Sequence, residues 1–286
     1  MTDFIAACVQ MRSGQSADEN LAVAKTLIRD AASAGALFVQ TPEMTNLLVR
    51  GRERLMTQIV FEDHDIFIAA FRQLARECEI WIHAGSLAIK RPDGRAANRG
   101  MLFAPDGSIA ARYDKIHMFD VDLPNGESWR ESATYEPGST ATVVELPMAR
   151  FGLAICYDVR FPGLFRDQAR MGAGVLTAPA AFTKQTGEAH WHVLQRARAI
   201  ENGAYMISAA QTGRHDDGRE TYGHSLIVDP WGRVVAELAD DRPGFVAATI
   251  RPQDVVKARA SIPVLSNERD FGRTAISYRL DVETAG

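Results

Sequence analysis

Cysteine is scarce in this chain: three in 286 residues, Cys8, Cys78 and Cys156, with no CxxC pair among them. An odd, dispersed set excludes a disulfide framework and offers no zinc-binding spacing. Long apolar runs are missing too. The longest stretch free of Asp, Glu, Lys and Arg is Met171 to Thr183, 13 residues, against the roughly 20 that a membrane span needs. Nor is there an excess of positive charge. Lys+Arg total 32 and Asp+Glu 36, a formal net charge of -4, so no overall cationic field draws a phosphate backbone or anionic lipid. Neither nucleic acid nor a membrane is expected as a partner. The chain has no HExxH, GxxxxGK[ST], GxGxxG or GxSxG, which removes the usual carriers of zincin, nucleotide-binding and serine-hydrolase chemistry; no cofactor and no metal are implied. Met1-Thr2-Asp3-Phe4 lacks the basic and apolar regions of a signal peptide, so a cytoplasmic protein is expected.

What is present is a regular alternation of strand and helix patterns, at 46% hydrophobic and 24% charged residues. Ile5 to Gln10 reads as a strand, and Ser16-Ala17-Asp18-Glu19 has the spacing of a capping box. Leu21, Ala24, Leu27, Ile28 and Ala31 then recur at helical spacing, with Gly35 where a C-terminal cap belongs. Ala36 to Gln40 is a second strand ended by Pro42, and Phe67 to Cys78 a second amphipathic helix. Ile80 to Ile89 is a strand, followed by a strand pair turning at Pro105-Asp106-Gly107. Phe151 to Ile155, Val175 to Ala178, Tyr205 to Ala210 and Ser225 to Asp229 read as strands, with helices over Gly163 to Met171 and Glu188 to Asn202. A second turn lies at Asp229-Pro230-Trp231-Gly232, and its Pro230, Gly232 and Ala236 echo Pro105, Gly107 and Ala111, hinting at two related halves. With no Ser/Gly/Pro-rich linker, one α/β domain is expected over residues 1–286, its core about 4–271 and its tail 272–286. From Pro263 the pattern fades, as for a segment that wraps the surface or a partner.

The most informative segment is Ile155-Cys156-Tyr157-Asp158-Val159-Arg160-Phe161-Pro162. A buried strand delivers Cys156 into a sharp turn before a helix, where a nucleophile is exposed and the next backbone N–H can face an oxyanion. A helix N-terminus there would favour the thiolate. Three other segments place charge at comparable positions: Glu43 after Thr41-Pro42, Lys115 within Tyr113-Asp114-Lys115-Ile116-His117, and Glu131 after Trp129-Arg130. A base, a cation, a supporting carboxylate and a thiol make an acyl-transfer set. His190-Trp191-His192 is less telling, since residues two apart on a helix face different ways and do not share an ion. Core and capping roles are expected for both histidines.

Thr41-Pro42-Glu43, the run Arg112 to Asp122 and Ile155 to Pro162 together resemble the three signature blocks of the nitrilase superfamily of carbon–nitrogen hydrolases. The resemblance implies a four-layer αββα sandwich of two mixed sheets flanked by helices, and a homodimer or higher homo-oligomer packed across a two-fold axis. It implies Glu43, Lys115 and Cys156 as catalytic triad, with Glu131 supporting the lysine. Ala181-Phe182-Thr183, Thr186 to Trp191 and Ala209 to His215 resemble the amidase branch acting on 2-oxo acid amides, nearer deaminated-glutathione amidases than omega-amidases. Within that branch Tyr157, through its backbone N–H, and Arg160, Phe182 and Thr186 are implied to bind substrate. The implied reaction is hydrolysis of the substrate's terminal amide to carboxylate and ammonia through a cysteinyl thioester. An omega-amidase on 2-oxoglutaramate is the nearest alternative, a nitrilase or carbamoylase stands further off, and a catalytically silent binding or scaffold member of the fold is the alternative from another class.

Overall fold

In the computed structural model, which describes residues 2–124 and 126–277, the strand Phe4–Gln10 serves two cores at once. Phe4, Ala6 and Cys8 face one way, Ala7 and Val9 the other, as the period of two along a strand dictates. The Ala7 and Val9 side is covered by helices Ala17–Ser33 and Ile66–Cys78, which contribute Ala24, Ile28, Ala31, Phe67, Phe71 and Leu74 at helical spacing. Both helices are capped by side chains: Ser16 accepts from the Glu19 N–H, and Asp65 from the N–H groups of Phe67 and Ile68.

The first sheet orders its strands Gly244–Ile250, Phe4–Gln10, Phe38–Gln40, Trp81–Lys90, Ala96–Phe103 and Ile109–Asp114. Phe4–Gln10, Phe38–Gln40 and Trp81–Lys90 are parallel, and their outer neighbours antiparallel. The second sheet repeats this plan with Arg150–Leu153, Val175–Thr177 and Tyr205–Ser208 as the parallel strands, flanked by Thr142–Glu145 on one side and by Ser225–Val228 and Val234–Leu238 on the other. The turns at Pro105-Asp106-Gly107 and Asp229 to Gly232 close the equivalent hairpins of the two sheets, which accounts for their likeness in sequence.

The inner faces of the sheets meet directly. Phe38 stacks on Phe151 with centroids 4.6 Å apart, each ring contributing about 1.5–3 kcal/mol by its burial. Helices Pro162–Arg170 and Lys184–Asn202 cover the outer face of the second sheet through Phe165, Trp191 and Ala199. The layers run helix, sheet, sheet, helix, as expected.

Local boundaries differ instructively. Helix Lys184–Asn202 starts four residues ahead of the expected Glu188. Gly187 sits inside it because a Cβ there would fall 2.3 Å from the Tyr222 side chain; this glycine permits a close approach and does not end the helix. Past Pro263 one helical turn forms, Val264–Asn267. Of the segment from Pro263, Glu268 pairs with Arg166 and Arg170 of helix Pro162–Arg170, while 271–277 is exposed, with Phe271 and Ile276 at 84% and 89% exposure; residues 278–286 lie outside the described residues. No helix among the described residues is long and apolar enough to cross a membrane.

Candidate active site

Glu43 follows the strand Phe38–Gln40, Lys115 directly succeeds Ile109–Asp114, and Cys156 comes three residues after Arg150–Leu153. The facing sheets bring these ends together. Lys115 Nζ donates to Glu43 Oε1 at 2.9 Å and to Glu131 Oε1 and Oε2 at 3.0 and 2.8 Å, with the lysine side chain only 2% exposed. Asn98 bridges the same two carboxylates, its Nδ2 donating to Glu43 Oε1 at 2.8 Å and Glu131 Oε1 at 3.0 Å. Backbone N–H groups complete the shell, from Ala181 to Glu43 Oε2 and from Phe119 to Glu131 Oε2. Every charge is thus met by a donor or a counter-charge, the condition under which a buried ionic cluster is tolerated.

Cys156 opens a helical turn, Cys156–Arg160, in the left-handed region at φ 49°, and Met44, the residue after Glu43, stands at φ 54°. Such conformations cost about 1–3 kcal/mol each and need surrounding structure to hold them. Asp158 does this for the cysteine. Fully buried, it accepts from the Ile155 N–H at 2.9 Å, the Tyr113 hydroxyl at 2.7 Å and the His117 N–H at 3.0 Å, and its Oδ1 lies 2.7 Å from His117 Nδ1. The Cys156 N–H donates to the Pro179 carbonyl. Tyr157, second residue of the turn, has no intrahelical acceptor for its N–H.

Burial pushes the Cys156 thiol well above its usual range, and the Glu43 charge and the hydrogen bond to Glu43 add to the rise, outweighing Lys115. The expectation of a resting thiolate is corrected: a buried site beside a carboxylate keeps the proton on sulfur. Burial alone would also raise Glu43, but the charge and hydrogen bond of Lys115, with hydrogen bonds from Cys156 and Ala181, hold it below the ordinary carboxylate range. Lys115 has its own burial offset by Glu131 and Glu43, which hold it well above the usual lysine value. The site thus sets a thiol whose proton is held by burial near a carboxylate held below its ordinary range and a cation fixed between two carboxylates.

These groups lie at the wall of a cavity of about 370 Å³ that also touches Tyr157, Phe182 and Thr186. Residues 5–260 match the family model of carbon-nitrogen hydrolases. The chain belongs to the carbon–nitrogen hydrolase family. It is 39% identical over 267 residues to deaminated glutathione amidase of Yersinia enterocolitica, covering 92% of each chain. To the Synechocystis protein of the same name it is 40% identical over 272 residues, 93% of this chain and 98% of that one. The C. elegans NitFhit structure superposes at a TM-score of 0.87 and 36% identity, over 93% of this chain and 65% of that one. The protein is accordingly a hydrolase of amide C–N bonds.

In this hydrolase Glu43, Lys115, Glu131, Cys156, Tyr157, Phe182 and Thr186 are brought together at one cavity, but Arg160 does not line it. Its guanidinium lies 5.1 Å from the Phe182 centroid and 5.9 Å from that of Tyr157, with Nη1 3.2 Å from His190 Nδ1. Two aromatic faces and an imidazole hold it there. It does not pair with Asp158 either, whose oxygens are taken by Ile155, Tyr113 and His117. Sequence reasoning singled out neither Asn98 nor Asp158; the signal for Asn98 was a polar side chain in the buried strand Ala96–Phe103.

His190 and His192 do point apart, yet neither is a core or capping residue: His190 is exposed and His192 Nε2 meets Glu237 Oε1 at 2.9 Å. His224 Nδ1 meets the same oxygen at 2.6 Å. Among the described residues these three form the cluster whose donor types suit a metal ion. The shared carboxylate already satisfies both rings, and none of the three lines the cavity.

Proposed function

We propose that this hydrolase cleaves the side-chain amide of a small 2-oxo acid amide, foremost deaminated glutathione, through a cysteinyl thioester with Cys156 as nucleophile. The observation that carries the reading is Cys156 on the same cavity wall as Glu43, Lys115 and Glu131, with Lys115 Nζ bonded to both carboxylates. Sγ attacks the amide carbonyl as its proton passes to Glu43, and the oxyanion forms against Lys115 Nζ and the Tyr157 N–H. Collapse expels the amine, which takes that proton from Glu43. Water then attacks the thioester as Glu43 accepts a proton, releasing the carboxylate and the thiol. Glu131 holds Lys115 in place and keeps it charged, and Phe182 and Thr186 shape the acyl pocket.

Ammonia is the leaving group only from a primary amide such as 2-oxoglutaramate. Deaminated glutathione carries secondary amides, so cleavage at its oxoglutaryl amide releases the dipeptide amine cysteinylglycine. The relatives' names support deaminated glutathione over 2-oxoglutaramate. A silent scaffold would have no physical reason to keep a costly buried charge cluster. A free thiol nucleophile also suits the reducing cytoplasm, and Val193 and Ile200, exposed and seven residues apart on one helix, support assembly of two copies through that face.

The test offers purified protein deaminated glutathione, 2-oxoglutaramate, a nitrile and a carbamoyl amino acid, reading both amine and ammonia release. Turnover of the 2-oxo acid amides that Cys156→Ala abolishes is expected, and intact mass of Glu43→Gln with slow substrate should show an acyl adduct on Cys156. Wild-type activity in Cys156→Ala would overturn the mechanism.

A further inference from the structure

We propose that the outer wall of the cavity is an anion subsite, built on Arg50 and Trp129, that takes the carboxylate of the departing amine. The proposal rests on the amide-hydrolase reading above and names the substrate class more closely: amides whose leaving group ends in an anion. The cavity is larger than a five-carbon acyl group needs, and its wall runs from Cys156 to Arg50 and Trp129.

The cations on that wall are mostly spent. Lys115 is held by Glu43 and Glu131, Arg130 is bidentate to Asp122, Arg219 pairs with Asp217, and Arg52 donates to the carbonyls of Ala133 and Gly94. Arg50 is different. Among the described residues its guanidinium has no carboxylate and no hydrogen-bond acceptor; its contact is the Trp129 ring, 5.1 Å from centroid to Cζ. A guanidinium held by an aromatic face keeps its N–H fork available for a carboxylate. Arg219 lies 5.0 Å from the same ring, its charge matched by Asp217.

The acids nearby do not cancel the site. Asp122 is occupied by Arg130, Glu220 pairs with Lys184 at 3.6 Å, and Glu127 accepts from Trp129 Nε1. The backbone carrying Arg50 is anchored, with Leu47, Leu48 and Val49 buried immediately before it and Gly51 turning at φ 92° immediately after. An arginine placed this way presents a positioned fork at modest entropic cost.

The experiment compares wild type, Arg50→Gln and Arg50→Lys on three substrates: deaminated glutathione, its C-terminal carboxamide, and 2-oxoglutaramate, which has no leaving-group carboxylate. For Arg50→Gln the preference for deaminated glutathione over 2-oxoglutaramate, as a ratio of kcat/KM, falls about tenfold or more, mostly in KM. Wild type loses a similar factor on the carboxamide, the Gln variant does not distinguish acid from carboxamide, and Arg50→Lys recovers part of the preference. An unchanged ratio in Arg50→Gln overturns the subsite alone. An equal loss on both natural amides assigns Arg50 to the 2-oxo acid's own carboxylate and also overturns it. A wild type silent on all three overturns the underlying activity, and the subsite with it.

Discussion

Replacing Lys115 by Met keeps much of the side chain's volume and removes its charge, leaving the buried Glu43 and the half-buried Glu131 without their cation. Glu43 and Glu131 lose the charge between them, while Asn98 and the N–H groups of Ala181 and Phe119 stay. Breaking a buried pair by removing one partner costs about 3–5 kcal/mol, or a melting temperature lower by roughly 5–15 °C for a chain of this size. The pH dependence is the sharper readout. In wild type the folded pKa of Glu43 lies below its ordinary value of 4.5, so its contribution to stability is complete above that value and lost as pH falls through the folded pKa. The folded pKa of Lys115 lies well above 10.5, so its contribution is complete throughout the neutral range. Without Lys115, burial dominates and the folded pKa of Glu43 rises above the unfolded value. The contribution is then complete at acid pH and lost as pH rises through the raised value. Thermal unfolding at pH 5, 7 and 8.5 should therefore show the gap between wild type and Lys115→Met widening upward in pH. A gap that is constant, or that narrows, refutes the account of Lys115 as the counter-ion of the buried Glu43.

Asp158→Ala leaves the Ile155 N–H, the Tyr113 hydroxyl and the His117 N–H without their shared acceptor; a loss of about 3–5 kcal/mol is expected, read as a lower denaturant midpoint at unchanged m-value, and a midpoint within experimental error of wild type would show that the turn holds without it. Gly85→Ala puts a Cβ 2.0 Å from the Thr41 carbonyl and 2.7 Å from that of Pro42, backbone atoms that cannot yield without shifting Glu43, so both melting temperature and kcat should fall, and a fully active variant would contradict that coupling.

Much of the architecture was legible because it is written in local pattern. Alternation marked Phe4–Gln10, the apolar spacing of Phe67, Phe71 and Leu74 marked a helix, and Pro42 marked where a strand must stop. The site residues were legible as strand-end residues in motif blocks. What local pattern could not give was pairing: Glu43 and Lys115 stand 72 residues apart, and Glu43 and the Ala181 N–H 138, so only the facing of two sheets joins them.

Arg160 and Asp158 show the limit most clearly. A motif fixes where a backbone position lies, but a long side chain goes where its surroundings favour it. The resemblance implied that Arg160 binds substrate, which assumes a guanidinium left free to reach an anion. In the fold Asp158 is surrounded by donors from Ile155, Tyr113 and His117, so it has no need of a cation, while the faces of Phe182 and Tyr157 offer Arg160 a partner that leaves it unpaired but not unfavourably placed. The same physics operates at Arg50, where an aromatic face holds a guanidinium that no carboxylate among the described residues claims. The two differ in position: Arg50 lines the cavity, whereas Arg160 packs against Phe182 and Tyr157, two residues that line it.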